Sequence, residues 1–271
     1  MDLGIAGRTA IICASSRGLG RACAIALAEA GCSVIINGRN EEKLAATAHE
    51  IRERTGVHVT TIAGDVSSRD IQDKILAACP APDILVNNNG GPPPTDFRKL
   101  DRSSILEGVA QNMVTPIELI QRVIDGMVER RFGRIINITS ASVLTPITGL
   151  DLSSGARAGL TSFLAGGARA GLTSFLAGVA RDVAYANVTI NSILPGMFDT
   201  DRIRGNIERM ATLKNLDTET IRQERINSVP AKRFGEAEEF GKVAAFLASA
   251  HAGYITGQNI LIDGGAFRSA F

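Results

Sequence analysis

Ser140, Ser153 and Arg157 are the residues whose types and spacing suggest chemistry beyond packing. Ser140 ends an apolar run, Arg134 to Thr139, and Arg157 follows Ser153 by one helical turn. A serine hydroxyl can polarise a carbonyl oxygen by hydrogen bonding. An arginine offers a fixed positive charge and a fork of donors but does not give up a proton near neutral pH. A second cluster, Ser15-Ser16-Arg17-Gly18-Leu19-Gly20, follows the apolar run Arg8 to Ala14. There Gly18 and Gly20 permit a tight turn and close backbone approach to a pyrophosphate, and a following helix would supply free N–H groups.

These residues need elements to hold them. Apolar runs at Arg8–Ala14, Cys32–Asn37, Val57–Ala63, Asp83–Val86, Arg134–Thr139, Val188–Leu194 and Asn259–Ile262 predict strands. Helical patterns fall between them: Arg21–Ala30, Glu41–Arg54, Asp70–Ala78, one long helix Ser103–Arg130 containing Pro116, the segment after Ser153, a polar charged region 202–228, and Glu236–Ala248. Strands alternating with helices predict an α/β fold, a Rossmann-type doubly wound parallel sheet of about seven strands. No Pro/Gly/Ser linker divides the 271 residues, so 1–271 reads as a single domain.

Cofactor choice is legible in the same way. An acid at the end of the second strand would bind ribose hydroxyls and repel a 2′-phosphate. Here the run is Ile36-Asn37-Gly38-Arg39-Asn40, and Arg17 and Arg39 suit a 2′-phosphate. The expectation is NADP(H) in preference to NAD(H).

Bulk properties exclude other classes. A net charge of +1 argues against a nucleic-acid or membrane-surface role. No apolar run is long enough to span a bilayer, and the N-terminus lacks a signal-peptide pattern. Cys13, Cys23, Cys32 and Cys79 show no C-x-x-C spacing, which predicts neither disulfides nor a metal site and fits a cytoplasmic protein. His49, His58 and His251 read as surface or structural residues.

Taken together, the ordered motifs resemble the short-chain dehydrogenase/reductase family over nearly the whole length. ASSRGLG is similar to its glycine turn, with Ala14 where a glycine usually stands. Asp65-Val66 resembles the adenine-contacting pair, Asn87-Asn88-Asn89-Gly90 the NNAG motif, and Asn191 to Gly196 the N-x-x-x-P-G stretch, with Thr200 four residues on. Ser140 matches the family's catalytic serine and Asn112 its structural and catalytic asparagine. The resemblance implies cofactor contacts from Ser15, Arg17, Gly18, Leu19, Gly20, Arg39, Asp65, Val66, Asn89, Gly90, Pro195, Gly196 and Thr200. It also implies a homo-oligomer, usually a homotetramer, and a small carbonyl or alcohol substrate, free or carrier-bound.

The family's tyrosine and lysine are replaced by Ser153 and Arg157, and no Y-x-x-x-K occurs elsewhere. The S-x-x-x-R pattern and the GGPPP loop (Gly90–Pro94) resemble a divergent 3-oxoacyl-carrier-protein reductase-like subgroup. Two readings stand: an oxidoreductase using Ser140, Ser153, Arg157 and Asn112, and a catalytically weak or inactive nucleotide binder with a structural or regulatory role. GARAGLTSFLAG occurs twice, at 155–166 and 167–178. In one continuous helix the extra copy adds about 18 Å and a net offset of about 120°. Extrusion near Gly166-Gly167 is expected instead, with the oligomer perturbed. Met197, Phe198, Leu144 and Pro146 are expected to give the substrate pocket its apolar surface. Residues 197–230 read as a lid whose arginines either face an acidic carrier or form a solvated face.

Overall fold

The structure is a computed structural model, and it describes residues 1–91, 95–144, 154–160 and 179–268. Pro92–Pro94, Pro146, Ser153 and the repeat beyond Leu160 lie outside the described residues, and with them the expected extrusion point.

Seven parallel strands form one sheet in the order β3-β2-β1-β4-β5-β6-β7. They are β1 (Thr9–Ile12), β2 (Ser33–Gly38), β3 (Val59–Ala63), β4 (Ile84–Asn87), β5 (Gly133–Ile138), β6 (Val188–Pro195) and β7 (Asn259–Ile262). Central strands are buried on both faces, as their unbroken apolar runs require of a parallel sheet covered on both sides. One face packs on α1 (Gly18–Glu29) and the C-terminal helix Ala237–Ala248, around Ile12, Leu27, Ile36, Ile136 and Phe240. The other covers Ile11, Ile35, Leu85 and Ile135 with Leu119 and Val123 of the long central helix. Gly241 lets the first pair of helices touch: a β-carbon there would lie 2.4 Å from the Ala22 carbonyl oxygen.

The chain reverses direction across the sheet between β1 and β4, so the carboxyl ends of those strands open the crevice where such folds bind ligands. Between β2 and β3 runs α2 (Glu41–Thr55), capped by the Asn40 side chain and ended by Gly56 at φ 70°. Strand β3 leads into α3 (Arg69–Ala78).

Three expectations are refined or changed. The helix expected as continuous over Ser103–Arg130 is α4 (Arg102–Val109), a π-helical turn at Ala110–Val114, and α5 (Thr115–Glu129). The helical run is therefore continuous as expected; Pro116 sits in the first turn of α5, where its missing N–H costs little, and the irregularity is the π-helical turn around Asn112 rather than the proline. The polar region is two helices. With α6 given to the helical residues 154–160 and α7 to Val179–Asp182, these are α8 (Asp201–Lys214) and α9 (Thr218–Ser228), separated by left-handed Asn215. Phe198 is core rather than pocket surface, buried in a T-shaped contact with Phe240 of α10 (Ala237–Ala248).

Candidate active site

The glycine turn joins β1 to α1 and is built for close approach. Gly18 has φ 57°, and a β-carbon on Gly20 would lie 2.5 Å from the Ala14 carbonyl oxygen and 2.7 Å from Asn88 Nδ2. Ala14 itself is left-handed, at φ 45°. That explains why a glycine is usual there, and the alanine carries a strain of about 1–2 kcal/mol. Arg17, the residue before α1, makes no side-chain cap, so the first N–H groups of α1 face the crevice without one. Ser15, expected among the cofactor contacts, is fully buried. Its hydroxyl donates to the carbonyls of Ile12 and Asn37 and accepts from the Asn37 N–H, so its side chain builds the turn. Leu19 packs against the core.

Around this turn the carboxyl edge is lined with amides. Asn88 Nδ2 donates to the Ala14 carbonyl at 3.1 Å. Asn37, buried at the end of β2, accepts from the Ala14 N–H and donates to the carbonyls of Ile62 and Gly64. Asn87 donates to Asn137, which donates to the Asn191 carbonyl, linking β4, β5 and β6. Asn89 donates to Ser67 and to the Gln111 carbonyl, tying the β3 and β4 loops to the π-helical turn. No acid stands where β2 ends. Arg39 is largely exposed, 4.0 Å from Asp65, and Arg17 is 3.7 Å from Asp201. Val66 is buried, while Gly90 is exposed beside Arg39. Gly196 lies against Asp263, and the Thr200 side chain comes within van der Waals reach of Gly18. These residues fit an adenine dinucleotide: glycines where a β-carbon would crowd the turn, helix N–H groups without a side-chain cap, and two exposed arginines near a β2 end that itself carries no acid.

At the end of β5 the catalytic candidates come together. Ser140 is half-buried. Its Oγ accepts from the Ser142 N–H at 3.1 Å and from the Ser142 hydroxyl at 2.9 Å. Ser142 was not singled out in the sequence, although the Ser-Ala-Ser spacing placed it there. Arg157, on α6, is buried and donates from Nη1 to the carbonyls of Ile138 (2.7 Å) and Thr139 (3.0 Å). The Thr139 carbonyl belongs to the peptide that leads into Ser140, so Arg157 fixes that serine's backbone. Burial, and secondarily the charge of Arg202, lowers its pKa to about 10, which leaves it cationic at neutral pH. It cannot replace a titrating acid.

Asn112 lies in the π-helical turn, a feature often found at functional sites. Its amide donates to the Gly108 carbonyl, and its Oδ1 is buried with no partner, as is Asn87 Oδ1. Both asparagines line a cavity of about 20 Å³ shared with Asn89, Ile138 and Arg157, enough for one water molecule. Two orphaned acceptors facing that space suit a water that donates to both.

In the region 197–230, expected as a lid, two arginines and a lysine pair with acids of the same region. Arg204 holds Asp199 and Asp201, Arg222 holds Asp199, and Lys214 holds Glu224. Ile207, Ala211, Ile221 and Phe234 give α8 and α9 a small core of their own. All four cysteines are free and buried, with thiol pKa values pushed up to about 11 or 12 by burial, which makes them inert. Among the described residues no cluster of metal-ligating side chains occurs and no helix is long and apolar enough to cross a membrane.

Comparison with known proteins agrees with this geometry. The family model described as enoyl-(acyl carrier protein) reductase matches residues 13–266. The NADPH-dependent reductase BacG of Bacillus subtilis (strain 168) is 32% identical over 97% of this chain and 98% of its own. The 3-oxoacyl-[acyl-carrier-protein] reductase FabG of Aquifex aeolicus (strain VF5) is 31% identical over 98% of this chain and 100% of its own. Among solved structures, YwfH, an NADPH-dependent reductase involved in bacilysin biosynthesis, superposes with a TM-score of 0.87 at 30% identity, covering 97% of this chain and 100% of that one. The chain belongs to the short-chain dehydrogenase/reductase family, and within it resembles the 3-oxoacyl-carrier-protein reductases.

Proposed function

We propose that this protein is an NADP(H)-dependent oxidoreductase interconverting a carbonyl and a secondary alcohol, with Ser140 as the group that binds the reacting oxygen. The bound dinucleotide supplies the hydride. Gly18, Gly20 and the α1 N-terminus would hold its pyrophosphate, and Arg17 and Arg39 its 2′-phosphate. The observation that carries the catalytic reading is the chain of contacts at the end of β5. Ser142 donates to Ser140 Oγ, which leaves the Ser140 proton free to point at a substrate oxygen. Arg157 holds the peptide before it. Arg157 is therefore a positioning residue whose fixed charge also favours an oxyanion nearby. Ser153 joins this reading as a second hydroxyl from its sequence spacing alone.

The NADPH-dependent relatives support the cofactor preference, and the reductase relatives support a small carbonyl substrate. A carrier-bound substrate draws less support, since the lid arginines named above are engaged by lid acids. Ile105, Leu106 and Val114, exposed along α4 and the π-helical turn, support a homo-oligomer, a dimer or tetramer.

The test is NADPH oxidation over a panel of carbonyl compounds. Ser140→Ala should lower kcat/KM about 100-fold, roughly 2.7 kcal/mol of lost transition-state stabilisation, with NADPH affinity unchanged. Unchanged turnover in that variant would remove Ser140 from catalysis. NADPH binding with no oxidation over the panel would favour the nucleotide-binding reading instead.

A further inference from the structure

Two neighbouring residues seat the start of α8 against the glycine turn. Thr200 comes within van der Waals reach of Gly18, and the Asp201 carboxylate lies 3.7 Å from Arg17. That carboxylate divides its oxygens. Oδ2 faces Arg17, while Oδ1 accepts from Arg204 Nη1 at 3.2 Å, on the same helix. Arg204 also donates to Asp199 at 3.0 Å, and the other oxygen of Asp199 faces Arg222 of α9 at 3.5 Å. Opposite charges thus alternate from the glycine turn into α9. The Arg39 pair is built differently. Its partner Asp65 follows β3, so that pair stays within the sheet edge, whereas Arg17 and Asp201 join the sheet edge to a helix beyond it. The side chains of Arg17 and Asp201 are 61% and 54% exposed, so an anion from solvent can reach the guanidinium. An exposed carboxylate is a weak partner for it. A phosphate monoester carries close to two negative charges and takes a guanidinium in a fork of two hydrogen bonds, so it displaces the carboxylate. Asp201 then keeps Arg204, and no charge is left without a partner.

We propose that Asp201 is a specificity-determining residue: it competes with the 2′-phosphate of NADP(H) for Arg17, and so tempers the preference for NADP(H) over NAD(H). This rests on the cofactor reading proposed above, in which Arg17 takes the 2′-phosphate. A ribose with a free 2′-hydroxyl leaves the Arg17–Asp201 pair in place, so Asp201 opposes the phosphorylated cofactor alone.

Adenosine 2′,5′-bisphosphate and adenosine 5′-monophosphate differ by that phosphate alone, and calorimetric titration of each into the full chain tests the competition. Asp201→Asn should bind the bisphosphate about 3-fold more tightly than the unaltered protein, with the monophosphate unchanged within about 1.5-fold. Asp201→Glu, which keeps the charge, should bring the bisphosphate back toward the unaltered affinity. The gain in Asp201→Asn should shrink in about 0.5 M salt, where exposed charges are screened. A role confined to starting α8 would move both nucleotides alike. An equal change for both, or no gain for the bisphosphate, therefore overturns the proposal. Arg17→Gln separates this from a failure of the cofactor reading, and should bind the bisphosphate about 5-fold more weakly. A loss there with no gain in Asp201→Asn overturns the proposal alone. No loss there, or no binding of either nucleotide by the unaltered protein, removes the reading of Arg17 and the proposal with it.

Discussion

Strand β5 is bracketed by two buried arginines with different duties. Arg134, at its amino end, is fully buried and stacks over Phe132, with its carbon Cζ 4.4 Å from the ring centre. It donates to the carbonyls of Ser249, Gly133 and Asn187 and to Asn187 Oδ1. Arg157, beyond the carboxyl end, donates to the carbonyls of Ile138 and Thr139 and lines the cavity. Both have pKa values lowered to about 10, chiefly by burial. The difference lies in the edge of the sheet each one serves. In a parallel sheet the amino edge is closed by loops and stabilises the fold, while the carboxyl edge opens toward ligands. The same residue type, buried at both ends, is a structural tie at one end and, on the function proposed above, a positioning residue at the other.

The largest expected effect breaks the structural side of this comparison. Arg134→Leu removes the guanidinium donors from three carbonyls and from Asn187 Oδ1, leaving the Asn187 and Ser249 carbonyls with only the N–H groups of Gly133 and Ala252, and removes the stacking on Phe132. A stability loss of roughly 3 kcal/mol is expected, read as a lower urea midpoint. The folded fraction should bind NADPH with the affinity of the unaltered protein. A loss under about 1 kcal/mol would show that water already reaches those carbonyls, and that Arg134 does not hold the amino edge.

Arg157→Leu tests the other side. Among the described residues it takes the guanidinium donor from the Ile138 and Thr139 carbonyls, so a cost of about 1–2 kcal/mol is expected. Binding should suffer more than stability suggests: NADPH affinity should fall about 10-fold, or about 1.4 kcal/mol. The two variants thus differ in the property that suffers most, stability for Arg134→Leu and binding for Arg157→Leu. If Arg157→Leu lost stability alone, the two arginines would be equivalent ties and the site reading of Arg157 would fail.

How far the sequence disclosed this arrangement follows from the range of the interactions involved. The strand segments, the glycine turn and the place of Arg157 after β5 were legible because local pattern and spacing fix them. The π-helical turn was not, because its signal is the single residue Asn112 inside an otherwise helical run. Arg134 read only as the first residue of an apolar strand, and its partners at Asn187 and Ser249 lie 53 and 115 residues away. Phe198 was misplaced for a similar reason. Its position after Pro195-Gly196 suggests a pocket wall, but Phe240, distant in sequence, packs on it and makes it core. Arg202 read as one charge among many, and only the fold sets its guanidinium against Gly91.

The smallest expected effect is a flat one, and it sharpens what the two arginines share. Each has its pKa lowered from 12.5 to about 10. Below pH 10 both are protonated in the folded and the unfolded chain alike, so they contribute no slope to stability there. Between about 10 and 12.5 the unfolded chain would bind more protons, and their contribution to stability would rise with pH. The same reasoning applies to binding, since Arg157 keeps the charge that positions the end of β5 until its guanidinium deprotonates. NADPH affinity measured from pH 7 to 9 should therefore change less than twofold. An affinity that falls steadily over that range would mean that a group with a lower pKa carries the charge facing the ligand, and the assignment to Arg157 would be lost even if Arg157→Leu binds poorly.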